Sequence, residues 1–406
     1  MRRLLRYKTA KKYLIIRLLA KMAHSCYFCL FPVFLFNRGY SIFDISILDT
    51  IFSIGIVLFE VPTGIIADRM RRDKCIHLSY ILMLLAYLFI YIDISFPMLV
   101  VANLIMALAS AFSSGIIDVW LLDGLKGDGC DEGMAIISGF MQVIENLGLT
   151  IGLFLGGLLV TMTIRYAFAG GLVLLIIAVI LCFILICDAG GGEVDNIASE
   201  KIGEYIINSI KAVTAPFLGV SFTMAIVSFA IASPLNVHWQ VFFNQKGIDS
   251  EFILSNLYSI RTVLIVIGGI IAGTFKKRES GNNLLIFRIF IPISALALIL
   301  SAVIDNCWIS LGLWSIISIT NTIARSFWTA ELLSTMGESR RSTLFSINSL
   351  IFSFASAAGS LVIGKIADVR GIDLAWEICG CVMILAVVFS FYASKLVKER
   401  GRKADE

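Results

Sequence analysis

Residues 44–93 read DISILDTIFSIGIVLFEVPTGIIADRMRRDKCIHLSYILMLLAYLFIYID, two apolar runs separated by a short basic stretch. A helix needs about 20 mostly apolar residues to cross the hydrocarbon core of a bilayer. The quoted stretch supplies one such run at 44–66 and another at 75–93, joined by a turn too short to hold a soluble domain. Working outward, runs of the same kind lie near 13–37, 96–124, 133–161 and 164–187, then near 214–244, 250–273, 283–303, 307–336, 341–366 and 372–395. They are far longer than the ~10-residue alternating segments of a membrane barrel. Six prolines in 406 residues also leave little room for turn-rich β architecture. With 58% hydrophobic and only 15% charged residues, against about 25% charged in soluble domains, lipid must solvate much of the surface. The expected fold is an all-α integral membrane protein with twelve transmembrane helices.

Basic residues in short loops orient such a chain. With both termini in the cytoplasm, 23 Lys and Arg fall on that side, at 1–12, 69–74, 126, 201–211, 276–278, 340–341 and 395–403. The other side receives four: Arg38, Arg165, Lys246 and Arg370. This distribution implies a multi-pass protein of the inner or plasma membrane with cytoplasmic termini. The basic start MRRLLRYKTAKK precedes a run of more than twenty residues that contains Arg17 and Lys21 and has no small-residue cleavage site. It reads as a retained first helix, not a signal peptide. A net charge of +4 gives no reason to expect a nucleic-acid partner. Cys26 and Cys29, like Cys379 and Cys381, are closely spaced but lie in apolar stretches without histidine partners, so no metal is expected.

The longest polar stretch, 188–213, bisects the chain into a first six-helix bundle (1–187) and a second (214–406). Within it, Ile202, Tyr205, Ile206, Ile207 and Ile210 fall along one face of a helix that could lie on the membrane interface; a flexible linker is the other reading. Gly64-Ile65-Ile66-Ala67 ends the second run and Gly269-Ile270-Ile271-Ala272 ends the eighth, each followed by a basic loop. Matching position, side and downstream charge point to duplication, hence two pseudo-symmetric six-helix bundles. Paired halves of this kind hold substrate near the bilayer midplane between them.

Gly64-Ile-Ile-Ala-Asp68-Arg69-Met-Arg-Arg72-Asp-Lys74 resembles the G-x-L-A-D-R-x-G-R-K loop between the second and third helices of the major facilitator superfamily. The resemblance extends over the whole chain: twelve spans, a central loop and this loop in its expected place. An acidic side chain at a helix end can dock on the positive N-terminus of a neighbouring helix, so Gly64, Asp68, Arg69 and Arg72 are candidates for a conformational latch. Arg71 stands where the family has glycine. In the fifth run, Gly139, Gly148, Gly152, Gly156 and Gly157 are spaced G-x8-G-x3-G-x-x2-G-G. This resembles the antiporter signature of drug-exporting members, with Leu153 in place of the usual proline. Such glycines would let the fifth helix pack closely on a partner in the other half, and the resemblance implies export. The arginine that such exporters carry early in the fourth helix is missing; Asn103 falls about there. Glu60-Val-Pro62-Thr-Gly64 is similar to a segment of tetracycline and multidrug exporters.

Ionisable side chains inside a span cost several kcal/mol unless paired or hydrated, which makes each a functional candidate. Those nearest mid-span are Lys21, Asp118, Glu145 and Arg325. Asp118 and Glu145 are the expected proton-carrying carboxylates, with Lys21 or Arg325 as counter-ion. Arg17 is placed to snorkel to the cytoplasmic face, Asp123 lies close to a helix end, and His24 and His238 carry the side chain that titrates nearest neutrality. The superfamily resemblance puts the substrate cavity at the centres of helices 1, 4, 7 and 10. Candidates there are Phe28, Trp120, Asn236, Trp239, Gln240, Asn321, Trp328 and Glu331, with Met141, Gln142 and Asn146 beside Glu145. Aromatics and methionine with few polar groups suit a lipophilic solute, cations included. No G-x4-G-K-[ST] loop is present, so a proton gradient is the expected energy source and no cofactor is expected. The reading is a non-enzymatic, alternating-access transporter, working as a monomer and exporting a small amphipathic compound. Its rivals are an uptake symporter or facilitator and a non-transporting receptor.

Overall fold

Backbone N–H and C=O groups find no water in hydrocarbon, so a spanning segment must close its own hydrogen bonds. In the computed structural model, twelve helices long and apolar enough to cross a membrane do this: Lys8–Asn37, Ile42–Glu60, Arg72–Ile92, Phe96–Gly127, Phe140–Val160, Ile164–Leu185, Ala215–Val237, Glu251–Thr274, Asn283–Val303, Cys307–Thr335, Ile347–Arg370 and Ile372–Val397. The structure describes residues 4–186, 213–275, 283–335 and 341–405 apart from 29, 70, 93, 114–115 and 131–133; the side chains of 61, 64–69, 134–136, 138–139, 341–343, 345–346 and 398–405 are outside that description. No strand occurs among the described residues. The runs expected from sequence match these spans to within a turn or two. The interfacial helix expected from Glu200 onward lies outside the described residues.

The sixth span illustrates why the solvent is lipid. Phe168, Leu175, Ala178 and Cys182 are buried, while Val173, Ile176, Ile180 and Ile184 on the opposite side are exposed. A helix apolar on every face but buried on only one needs hydrocarbon against the rest.

The chain forms two compact units. The first comprises Met1–Phe34, Ile51–Ile197 and Asp249–Ser259. Its first span packs on the fifth and sixth, and its third on the fourth. Tyr27 binds these spans together: it stacks on Tyr87 and Phe168, and its hydroxyl donates to the Tyr87 carbonyl at 2.7 Å. Ser255 and Asn256 join this unit by lying against Gly157, and Phe252 by an edge contact with Phe154.

The second unit comprises Leu35–Thr50, Ala198–Ile248 and Ile260–Glu406. Its ninth span packs on the tenth and twelfth, and its seventh on the eleventh and twelfth. Leu35–Thr50 is held here by Ser46, 2.9 Å from His238 Nε2, and by the Thr50 hydroxyl, which donates to the Ala357 carbonyl at 3.3 Å. Units and halves therefore differ at two short stretches, the starts of the second and eighth spans, which occupy corresponding positions in the duplicated pattern.

Within the second unit Lys246 caps the end of the ninth span, donating to the Ala302 and Ile304 carbonyls at 2.8 and 2.7 Å. A cation at a helix C-terminus satisfies orphan carbonyls and complements the helix dipole. Lys246→Met, which keeps the stem, is expected to lower stability by about 1.5–3 kcal/mol, the range for hydrogen bonds to a charged group. The measurement is the melting temperature in detergent. Asp373→Asn should change stability by less than about 1 kcal/mol, because Asp373 is exposed and 3.5 Å from the ammonium.

Candidate functional site

On the first span Tyr13, Arg17 and Lys21 recur every four residues, so they stand one above another on a single helix face. The fifth span faces them. Arg17 Nε donates to Glu145 Oε1 at 2.9 Å, and Nη2 of the same guanidinium contacts that oxygen. Lys21 Nζ lies 3.6 Å from Glu145 Oε2. Both carboxylate oxygens thus face a cation, and the Tyr13 hydroxyl donates to Asp118 Oδ1 at 3.0 Å. The result is a cluster of two cations and two carboxylates inside the apolar part of the first unit.

Glycine makes the approach possible. A Cβ at Gly148, one turn beyond Glu145, would fall 2.7 Å from Lys21 Cβ and 2.9 Å from the Leu18 carbonyl oxygen. A Cβ at Gly152 would fall 2.7 Å from Met22 Cα and onto the Met22 carbonyl. The glycines of the antiporter-like spacing therefore seat the fifth span on the backbone of the first, within one unit. This corrects the expected partner in the other half for Gly148 and Gly152. Gly157 instead faces Ser255 and Asn256 of the eighth span, a partner in the other half as expected; Gly156 is buried, and Gly139 lies outside the described side chains. Small residues of this kind set helix contacts in a medium where burial of apolar surface supplies little drive.

Arg17 corrects a second expectation: it is bound to Glu145 instead of reaching for the cytoplasmic face. Asp123 is paired as well, with Arg72. Of the expected latch, Gly64, Asp68 and Arg69 lie outside the described side chains. Arg71, in the place of the family's glycine, forks onto Asp73 with Nε–Oδ1 at 3.2 Å and Nη2–Oδ2 at 2.9 Å. Asn103 is buried and donates to the Leu99 carbonyl of its own helix at 2.8 Å. His24 Nδ1 lies 2.6 Å from the Tyr87 hydroxyl, and His238 is bracketed by Ser46 and Ser233.

The second unit holds a cavity of about 430 Å³ between the seventh, eighth, tenth and eleventh spans. Its shape begins with Pro234, which has no N–H to give to the helix. The seventh span widens into a π-helical turn at Ala232–Val237, a form that recurs at functional sites. The freed carbonyls find other donors: the Trp314 indole on Pro234 at 3.0 Å and the Arg261 guanidinium on Leu235. Arg261 is thereby fixed in the wall, with Ser318, Asn321, Thr322, Arg325 and Thr329 beside it on the tenth span.

Asn236 and Asn321 line this cavity as expected; Arg325, expected as a counter-ion to Asp118 or Glu145, lines it too. Arg325 lies in the second unit with its guanidinium 5.9 Å from the centre of the Phe352 ring, and the cations on Glu145 are Lys21 and Arg17. Three expected cavity residues are turned to other tasks. Glu331 is fully buried and accepts from Asn283 Nδ2 at 3.0 Å, the Trp328 indole donates to the Val220 carbonyl at 2.7 Å, and Trp239 packs on Trp314. Gln240 and Trp120 are buried, and Phe28 belongs to the aromatic group around Tyr27 and Tyr87. Met141, Gln142 and Asn146 are on the fifth span of the first unit, Gln142 exposed. Phe352 was not among the expected site residues, and Arg261 and Arg17 were read only as ionisable groups inside spans, without a place in the cavity or the carboxylate cluster. The four-residue spacing of Ser318, Thr322 and Ser326, with Asn321 and Arg325 between, could have marked the cavity face of the tenth span.

A family model described as Major Facilitator Superfamily matches residues 13–360. An uncharacterized MFS-type transporter of Bacillus subtilis (strain 168), YxaM, is 19% identical over 376 residues, covering 90% of each chain. Among solved structures, the nucleoside transporter NupG superposes with a TM-score of 0.74 at 13% identity, covering 96% of this chain and 98% of that one. A bacterial homolog of the human lysosomal transporter Spinster, inward-facing and occupied, gives 0.75 at 15% identity, covering 96% and 97%.

Proposed function

The chain belongs to the major facilitator superfamily, and from that membership we propose that it exports a small amphipathic compound in exchange for protons by alternating access. Family membership sets aside the reading as a non-transporting receptor. The observation that carries the proton part is Glu145, held in the membrane between Arg17 and Lys21. A proton arriving on that carboxyl removes the charge that both cations answer, so loading and unloading it changes what holds the first span to the fifth. A conformational equilibrium shifts only when the two states differ in free energy of interaction, and this cluster supplies such a difference. Asp118, bonded through Tyr13 to the same helix face, is the second carrier. The glycine spacing that resembles the exporter signature supports the outward direction, and the 23-to-4 bias of Lys and Arg supports cytoplasmic termini in the cell membrane. No cofactor enters the scheme, and one chain suffices for it.

Expression in a drug-sensitive host tests the direction. Raised tolerance to amphipathic compounds, lost when a protonophore collapses the gradient, is the expected result. Unchanged tolerance together with accumulation of a single nutrient would instead make the protein an uptake carrier.

A further inference from the structure

We propose that the cargo carries a negative charge: the cavity of the second unit is a receptor for an amphipathic organic anion, held at its carboxylate or phosphate by Arg325. This rests on the transporter reading and names the cargo class that the reading leaves open. Arg261 and Arg325 both line the cavity, and neither Asp nor Glu does. Arg261 is built into the wall through the Leu235 carbonyl. Arg325 makes no salt bridge among the described residues; its near neighbour is the Phe352 ring. A guanidinium offers five N–H donors in a planar fork that fits carboxylate and phosphate, and a cation facing a cavity without a counter-ion invites one.

The hydroxyls on the same face sharpen this. Thr322, Ser326 and Thr329 donate to the carbonyls of Ser318, Thr322 and Arg325, at 2.7, 2.9 and 2.9 Å. Their hydrogens are spent on their own helix, which leaves the arginine as the strong donor. One turn from Arg325, the Asn321 side-chain oxygen is buried with no hydrogen-bond partner. Residues four apart on a helix have Cβ atoms about 5–6 Å apart, so a hydroxyl or amide N–H next to the anionic group would reach it. Met224, Ile231, Ile265 and Phe352 provide the apolar wall. The lipophilic cation admitted by composition would instead meet two like charges here.

Melting temperatures of the purified protein in detergent, with no gradient present, test this separately from export and proton coupling. The probes share one aromatic body: phenyllactate, hydrocinnamate and phenyl phosphate as anions, and phenethylammonium as the cation. A fifth arm adds phosphatidylglycerol to the micelles. The soluble anions are expected to raise the melting temperature, phenyllactate more than hydrocinnamate, and phenethylammonium is expected to leave it unchanged. Arg325→Gln should weaken the anion effect at least tenfold in affinity, and Arg325→Lys should retain part of it. Equal protection by phenethylammonium, protection by phosphatidylglycerol alone, or anion protection undiminished in Arg325→Gln overturns the proposal. The anion–cation comparison in the wild type decides the matter even if both variants fail to fold.

Discussion

Gly152→Leu is expected to yield no monodisperse, folded protein from membranes, whereas Gly269→Ala should purify and melt like the wild type. The Cβ of any side chain at 152 would meet the Met22 backbone of the first span. A backbone carbonyl inside a helix cannot rotate aside, so the two spans must part. Overpacking a core costs about 1–3 kcal/mol and occasionally more. Parting these spans also draws Glu145 away from Arg17 and Lys21, a part-buried cluster whose loss adds less than the ~3–5 kcal/mol of a fully buried pair. Against a total stability of about 5–15 kcal/mol, the two losses together take a large share of the margin. Gly269 has nothing within 4 Å of a Cβ, so alanine fits there without displacing a neighbour. Size-exclusion profiles of detergent extracts distinguish the two outcomes. A monodisperse Gly152→Leu peak at wild-type yield would show that the first and fifth spans do not touch as described.

Glu145→Gln is expected to reduce gradient-driven export to background while gradient-free exchange of the same compound persists. The amide keeps the shape of the carboxyl and can still accept from Arg17, but it cannot take up or release a proton. It also leaves two cations without their counter-charge, so stability should fall by less than the 3–5 kcal/mol of a fully buried pair, since these side chains are only part-buried. The double variant Arg17→Gln with Glu145→Gln should recover part of that stability, as interacting residues are not additive, and should still not couple. Recovery of gradient-driven export in the double variant would assign Arg17 and Glu145 a purely structural pairing.

The twelve spans were legible because hydropathy over about twenty residues reports the solvent directly. The face of the first span was only partly read: Lys21 was singled out, but Tyr13 was not, and Arg17 was expected to reach for the cytoplasmic face although the three recur at helical spacing. What faced it was not legible. Glu145 lies 128 positions from Arg17, and no local pattern says which of several helices will present a carboxylate to a given cation. For the same reason the glycine spacing announced a close helix contact without naming the partner as the first span. Asn236 and Asn321 were found as polar groups on spans expected to be central, whereas Arg325, expected as a counter-ion to the carboxylates, lines the cavity instead. Glu331 and Trp328 looked equivalent to them in sequence and were not, because each found a partner inside the bundle, at Asn283 and at the Val220 carbonyl. Arg261 stood among the ionisable residues inside spans but not among the cavity candidates, because its place in the wall depends on the Leu235 carbonyl exposed at the widened turn around Pro234.

The most direct test of proton exchange uses wild-type protein reconstituted in liposomes loaded with a pH-sensitive dye, to which a compound tolerated through its expression is added outside. As the compound enters, protons should leave and the interior should turn alkaline. Acidification of the interior, or entry of the compound with no change in pH, would contradict antiport.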